Sequence, residues 1–472
     1  MFALLGIIGL MVSIYVRPYE WNADLATIPF LYICCAIALI GISFDFVMRR
    51  SRYIPNPLLP YCAFLAFWCI VTLGIAEPSL VTSKSSPILI SLLLFVLISH
   101  GVQTVKAFTR LVLTIFALGI FVAYVGVDQS FHKFSCLIVL PEKDNQRPFP
   151  DGGRLCEAEG DIKQEEAVAL CYSGPEAKKG VKYQCEKPGM FTTSSIDGGR
   201  VRYLGVLSDP NELALATSLA LPIAFAFFER KRTTLRLLLL LGSLGLIAYE
   251  VVNTKSRGGQ IVFGMVLGAY FVRKYGLKRG VVIAGVLTGP LVMMGGRSGD
   301  AADQSAIDRL EAAAAAIKLL LSYPIKGCGY NQFTEHHPLT AHNAYLLAAS
   351  ELGWPGLLCF VAIIYLCTKT MFNVLRFEFA EDDLEAPAIK TLAMAMLAAF
   401  AGIAIGVFFL SWTYHFVLWI HFGLAGALYT VVRSKYPNFY IRLSGKELGL
   451  IFVAWVFILI AFTIHIKRKG CW

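Results

Sequence analysis

The chain alternates long apolar runs with short polar breaks. Runs close to the roughly 20 residues that a helix needs to cross a bilayer recur from end to end. They predict spans near 2–16, 28–47, 59–77, 85–101, 108–127, 211–228, 235–252, 260–273, 281–294, 346–368, 390–411, 416–432 and 448–466, about thirteen in all. The runs are continuous and do not alternate in segments of about ten residues, as a transmembrane β-barrel would require. Two long polar segments interrupt the series. The expected architecture is an all-α polytopic membrane protein of about 12–13 helices. Its regions are N-terminal helices (1–127), a polar insert (128–205), a middle group of helices (206–294), a polar loop with a helix of its own (295–345) and C-terminal helices (346–472).

Composition agrees with the pattern: 57% of residues are hydrophobic and 16% charged, against about 25% charged in soluble domains. The first run, Phe2 to Val16, lacks a basic start and an A-x-A-type cleavage site, so it reads as a first span and not as a removed signal peptide. The net charge of +10 comes mainly from short loops and does not point to nucleic acid. Arg49, Arg50 and Arg52 form one basic group; Arg230, Lys231, Arg232 and Arg236 a second; Arg273, Lys274, Lys278 and Arg279 a third; and Arg433, Lys435, Arg442 and Lys446 a fourth. The intervening loops are poor in Lys and Arg. The positive-inside rule then puts the N-terminus in the cytoplasm and 128–210, 253–259 and 295–345 on the opposite face. Lys467, Arg468 and Lys469 run against this scheme if the last span crosses fully.

The insert holds Cys136, Cys156, Cys171 and Cys185 and the turn signals Asp151-Gly152-Gly153, Ser173-Gly174-Pro175 and Asp197-Gly198-Gly199. Four cysteines in a small segment outside the cytoplasm predict two disulfides, with three pairings open and Cys136, near a membrane edge, as the candidate odd one out. A zinc site is the rival reading, but no C-x-x-C occurs. Cys34, Cys35, Cys62 and Cys359 lie in apolar spans and read as small buried hydrophobes.

Candidate chemistry clusters where polar segments meet spans. Ser208-Asp209-Pro210-Asn211 opens a span; the plain reading is a helix start, the functional one that Asp209 or Asn211 lines a cavity. In Lys255-Ser256-Arg257-Gly258-Gly259 an arginine meets a helix N-terminus, a combination suited to phosphate, and the glycines would let a ligand approach the backbone. A basic anchor at the membrane interface is the plainer alternative. Ser305 reads as the N-cap of a helix running to about Ser322, with Asp308 and Glu311 in its first turn and a small face of Ala312, Ala313 and Ala316. Arg309 opposes the helix dipole there, which is explained by pairing with one of those acids or by an anion at the helix end. The turn Lys326-Gly327-Cys328-Gly329-Tyr330-Asn331 is not a phosphate-binding Walker loop, because no Gly-Lys-Ser/Thr follows. His336, His337 and His342 lack an H-E-x-x-H arrangement, and no metal is expected. His342 is the better proton acceptor; it is expected on the first turn of the helix that carries Tyr345. Glu351 should lie on the opposite face and serve the helix end before Gly353.

Taken in order, Asp209-Pro210-Asn211, Ser256 to Gly259, Arg309-Leu310, Pro324 to Gly329 (P-x-x-G-x-G) and Ala341 to Gly356 (A-H-N-x-Y-L, then E-L-G-x-x-G) resemble the O-antigen ligase and O-antigen polymerase family over about residues 200–430. The resemblance implies a metal-independent, cofactor-free glycosyltransferase of the bacterial inner membrane, with its active site on the periplasmic side. Such an enzyme passes a glycan from an undecaprenyl diphosphate-linked donor to an acceptor hydroxyl on lipid, glycan or protein. It implies His342 as general base and Arg257 and Arg309 as holders of the donor diphosphate. Asn211, Asp209, Tyr330, Asn343 and Tyr345 are supporting candidates. The insert and the apparent extra C-terminal span depart from the family pattern and bear on the acceptor. The competing class is a polytopic transporter or flippase of a lipid-linked or anionic sugar, which would place charges near the bilayer midplane; Asp45, Glu250 and Arg257 instead fall near span ends.

Overall fold

The computed structural model describes residues 2–139, 149–156, 164–173, 177, 180–196, 198–294 and 300–472. Gly174, Pro175 and Asp197 of the expected turns, and the first five residues of the 295–345 segment, lie outside the described residues. Helices follow the apolar runs: α1 (Ala3–Tyr15), α2 (Phe30–Val47), α3 (Leu59–Ala76), α4 (Val81–Lys84), α5 (Ser86–Gly101) and α6 (Val105–Phe131). The insert then supplies β1 (Ser135–Val139), β2 (Phe149–Leu155), α7 (Gln164–Tyr172) and β3 (Lys182–Glu186). After it come α8 (Pro210–Arg230), α9 (Thr234–Asn253), α10 (Arg257–Tyr275), α11 (Leu277–Met294), α12 (Asp300–Ser322), α13 (Ala344–Arg376), α14 (Ala386–Gly406), α15 (Phe416–Lys435) and α16 (Gly445–Arg468).

Eleven of the described helices are long and apolar enough to cross a membrane, and a twelfth span forms if α4 and α5, with the turn before them, are counted together across a 45° bend. The expected span at 260–273 is present as α10 but is not among the eleven. Its Gln260, its glycines and the basic pair Arg273-Lys274 dilute the apolar run. It packs instead as a hairpin with α11 and against α8 and α14. The bundle is layered by burial. α15 and α8 run through its centre, whereas α11 and α16 lie on its rim. α16 turns Leu450, Phe457 and Ile460 outward, a surface that suits lipid and not water.

The basic loops gather at one end of the bundle. Arg52 donates to the Ser434 carbonyl, Lys274 pairs with Glu229, and Lys435 pairs with Asp383 at 2.6 Å. α16 starts at this end, where Glu447 meets Lys369 of α13. It finishes beside α12, where Lys318 and Lys467 both sit over the Trp472 ring. The last helix therefore runs the length of the bundle, and Lys467 to Lys469 stand at the end opposite the other basic loops.

The insert is a three-stranded antiparallel sheet in the order β2-β1-β3 with α7 against it. Two disulfides hold it, Cys136–Cys171 and Cys156–Cys185. Cys136 is thus not the odd cysteine; β1 brings it opposite Cys185 in register. Sulfurs of Cys136, Cys156 and Cys171 lie within 4.8 Å of one another because the two bridges are adjacent, and a bonded sulfur offers no thiolate to zinc.

Candidate active site

The first turn of α8 is built by local hydrogen bonds. Asp209 caps it, with Pro210 in the first helical position and Glu212 returning to the Asp209 amide at 3.2 Å. Asp209 Oδ1 accepts from both the backbone and the side-chain nitrogen of Asn211, at 2.7 and 2.6 Å. Asn211, fixed in this way, accepts from the Ser256 hydroxyl. Ser256 caps α10 and accepts from the Gly259 amide at 2.8 Å. The two motifs that looked separate in the sequence are therefore one hydrogen-bonded chain joining the starts of α8 and α10. The glycines beside Arg257 serve packing, not ligand approach: a Cβ on Gly259 would stand 2.5 Å from Ala214 Cβ, and one on Gly258 3.1 Å from Phe409.

Above this junction lies a cavity of about 130 Å³ whose wall includes Asn211, Ser256, Arg257 and Arg309. The structure thus brings both expected arginines to one place, together with Arg200 and Lys255. Lys255 turns the chain from α9 into α10 in a left-handed conformation, φ +49°, a backbone state that non-glycine residues seldom hold outside constrained sites. α12 delivers Arg309, although not from its first turn. The helix begins at Asp300, so Ser305 is not its cap, and Asp308 and Arg309 lie two turns in; the dipole conflict expected for Arg309 does not arise. Asp308 accepts from Gln304 at 2.7 Å. Ala312, Ala313 and Ala316, the small face, are buried, and α12 packs on α13.

His342 lies just before α13, not on its first turn, and is left-handed, φ +48°. Asn343 is the cap; its Oδ1 takes the amides of Tyr345 and Leu346 at 3.0 and 3.1 Å. Tyr345 points away from the cavity, its hydroxyl donating to the Ala404 carbonyl at 2.9 Å and its ring packing on Phe360, Phe408 and Trp455. Partial burial and the nearby Arg309 hold the His342 imidazole below its ordinary pKa, against the opposite pull of Asp209 and Asp308. At neutral pH it is mostly uncharged and able to accept a proton. His337 also lies within electrostatic range, its Nδ1 against the Leu339 backbone at 3.0 Å, while His336 is exposed.

Two supports were not read from the sequence. The first is Glu351. Buried in α13, it accepts from the Phe333 amide at 3.1 Å, so it fastens the loop before His342 and does not serve a helix end. α13 breaks at Gly353 (φ +66°) and resumes. The loop docks on this break: Cys328 and Gly329 amides donate to the Ser350 and Glu351 carbonyls at 2.8 and 3.0 Å. A Cβ on Gly327 or Gly353 would stand 2.3 Å from the opposing backbone, so the two glycine motifs are two halves of one backbone contact. Tyr330 belongs to this support, buried edge-on against Tyr414. The second is the segment after α14. Its Val407 and Thr413 bond the Ala344 backbone at 2.8 and 2.7 Å, and Ser411 meets Thr340 at 2.8 Å. Trp412 donates to Glu212 at 3.2 Å and stacks on His415, which burial pushes down to a pKa of about 4. The sequence marks this segment only by its lack of Lys and Arg.

Residues 213–361 match the family model described as O-antigen ligase. The match runs from the first turns of α8 into α13 and contains Arg257, Arg309 and His342; it supports placing the chain in the O-antigen ligase family. It covers about a third of the chain and leaves the insert outside. No curated protein matches.

Proposed function

We propose that this glycan-transferring membrane enzyme moves a glycan from an undecaprenyl diphosphate-linked donor to an acceptor hydroxyl, on lipid A core, a growing glycan or a protein. The observation that carries the reading is the convergence of Arg257 and Arg309 on one cavity, with His342 close enough to Arg309 to feel its charge. In this scheme the two guanidiniums and the start of α10 bind the diphosphate. Neutral His342 takes the proton of the acceptor hydroxyl, whose oxygen attacks the anomeric carbon. The bond from that carbon to the phosphate oxygen breaks, its electron pair leaves with the lipid diphosphate, and the configuration inverts. The arginines stabilise the charge that gathers on the leaving group, so the residues supply base and electrophile without a metal.

The basic end of the bundle is assigned to the cytoplasm by the positive-inside rule, which gives the cavity a periplasmic address in a bacterial inner membrane. The transporter reading lacks comparable support. Asp45 accepts from the Ala3 amide at 3.2 Å and Glu250 from the Thr217 hydroxyl at 2.8 Å, each through one carboxylate oxygen and inside the bundle.

The test is glycan transfer from a purified lipid diphosphate donor in the presence of EDTA. His342→Ala should lower turnover by about a hundredfold or more, and Arg257→Gln and Arg309→Gln should raise the donor KM. A His342→Ala enzyme with full activity sinks the base assignment, and activity lost to EDTA and restored by zinc sinks the metal-independent scheme.

A further inference from the structure

We propose that Arg200, carried by the disulfide-bearing insert, is a third binding residue for the donor diphosphate, so that the insert completes the anion site that the bundle begins. The inference rests on the reading of the cavity given above.

Arg200 is 4% exposed and lines the same cavity as Arg257 and Arg309, yet it lies outside the segment that matches the ligase family. Its position is fixed from several directions. Ile196 and Arg200 exchange backbone hydrogen bonds at 2.9 Å. The next amide, Val201, donates to the Asn253 carbonyl at the end of α9 at 3.2 Å. The guanidinium Nε donates to the Thr254 carbonyl at 3.0 Å, two residues before the Ser256 cap. Across the same junction Lys255 Nζ donates to the Gly198 carbonyl at 2.8 Å. Insert and bundle are therefore stitched together at the cavity wall, by contacts that start from both sides.

Charge makes a ligand of this class the fitting occupant. Three guanidiniums and an ammonium line one small cavity, and a diphosphate offers several oxygens that suit guanidinium forks. The chain that carries Arg200 is tied back to the stapled sheet. Cys185 of β3 is bridged to Cys156, Lys187 and Ser195 bond each other at 2.9 and 3.0 Å, and Arg202 reaches Glu186 at 3.6 Å. Gln129 of α6 brackets the Arg202 backbone at 2.6 and 3.2 Å. The disulfides thus hold, at one remove, a residue of the binding site.

Binding of inorganic pyrophosphate to the purified full chain in detergent, followed by calorimetry, tests this without knowledge of the glycan. Arg200→Gln should weaken binding about tenfold, or about 1.4 kcal/mol. Arg200→Lys, which keeps the charge and loses the fork, should fall between Arg200→Gln and wild type while melting at the wild-type temperature; this separates binding from folding. Arg257→Gln and Arg309→Gln are the controls. If both controls bind weakly while Arg200→Gln and Arg200→Lys bind as wild type, the inference is overturned and the proposed function stands. If wild type binds no pyrophosphate, or the controls bind as tightly as wild type, the diphosphate site itself is refuted, and this inference with it.

Discussion

The two polar segments outside the spans reach the same cavity by opposite means. The insert has a hydrophobic core of its own, but a small one: among the described residues, four of the seven that form this cluster are cysteines. So little apolar surface holds a fold only with covalent help. The segment that begins with α12 has no staple. It lies on the bundle through its alanine face, its glycine-to-backbone contacts and the Glu351 carboxylate, and is an extension of the membrane core. One delivers Arg200 to the cavity wall, the other Arg309, with His342 within electrostatic range of that arginine. The difference predicts that damage to the second segment spreads into the bundle, while damage to the first stays local.

Glu351→Ala is the hardest blow to the second segment. It leaves buried backbone donors of the loop without their acceptor, at a cost of about 1–3 kcal/mol for such a group, and frees the chain leading to His342. Turnover should collapse and the melting temperature of the whole protein should drop, with Glu351→Gln intermediate because it keeps an acceptor oxygen. A Glu351→Ala protein that melts and turns over like wild type would show that the loop is held by something else.

The next test changes chemistry and leaves architecture alone. The proposed base, His342, must be neutral to act, and burial and Arg309 lower its pKa. Activity is therefore retained above that lowered pKa and lost as pH falls through it, below the ordinary histidine range. Arg309→Gln removes a like charge and should move the acid limb of kcat, measured at saturating donor, to higher pH. Asp308→Asn removes an attractive charge and should move it lower. Shifts of the same sign in both variants, or none in either, would place the titration on another group.

Much of this was legible in the sequence because its causes are local. Apolar length wrote the spans, and four cysteines wrote two bridges, although only the fold of the insert chose the pairing: Cys136 of β1 faces Cys185 in register but bonds Cys171 of α7. Arg257 stood out as a costly arginine at a span end, Arg309 as a cation set against a helix dipole, and His342 as a titratable group where a polar segment meets a span. One miss has a local cause, and the others do not. Ser305 resembled a helix cap, but Ala301-Ala302-Asp303-Gln304 contains no breaker and carries the helix back to Asp300. Glu351 was rightly set apart from His342, yet its true partner lies in a loop that docks only because Gly353 interrupts α13. Arg200 sat in a loop rich in turn signals and gave no hint of its destination, since the contact that places it is to Thr254.

The smallest effect belongs to the insert and sharpens the contrast most. Replacing Cys156 and Cys185 together by serine removes one staple, a loss of about 2–5 kcal/mol in small stapled domains, and the loss falls on a unit outside the bundle core. Melting of the bundle and kcat should stay at wild-type values. The donor KM should rise by no more than Arg200→Gln raises it, because the staple acts on the donor only through that residue. In an Arg200→Gln background the serine pair should then add nothing further. A KM penalty that adds in full to that of Arg200→Gln would mean that the insert touches the donor elsewhere, and a fall in kcat would mean that it reaches the acceptor.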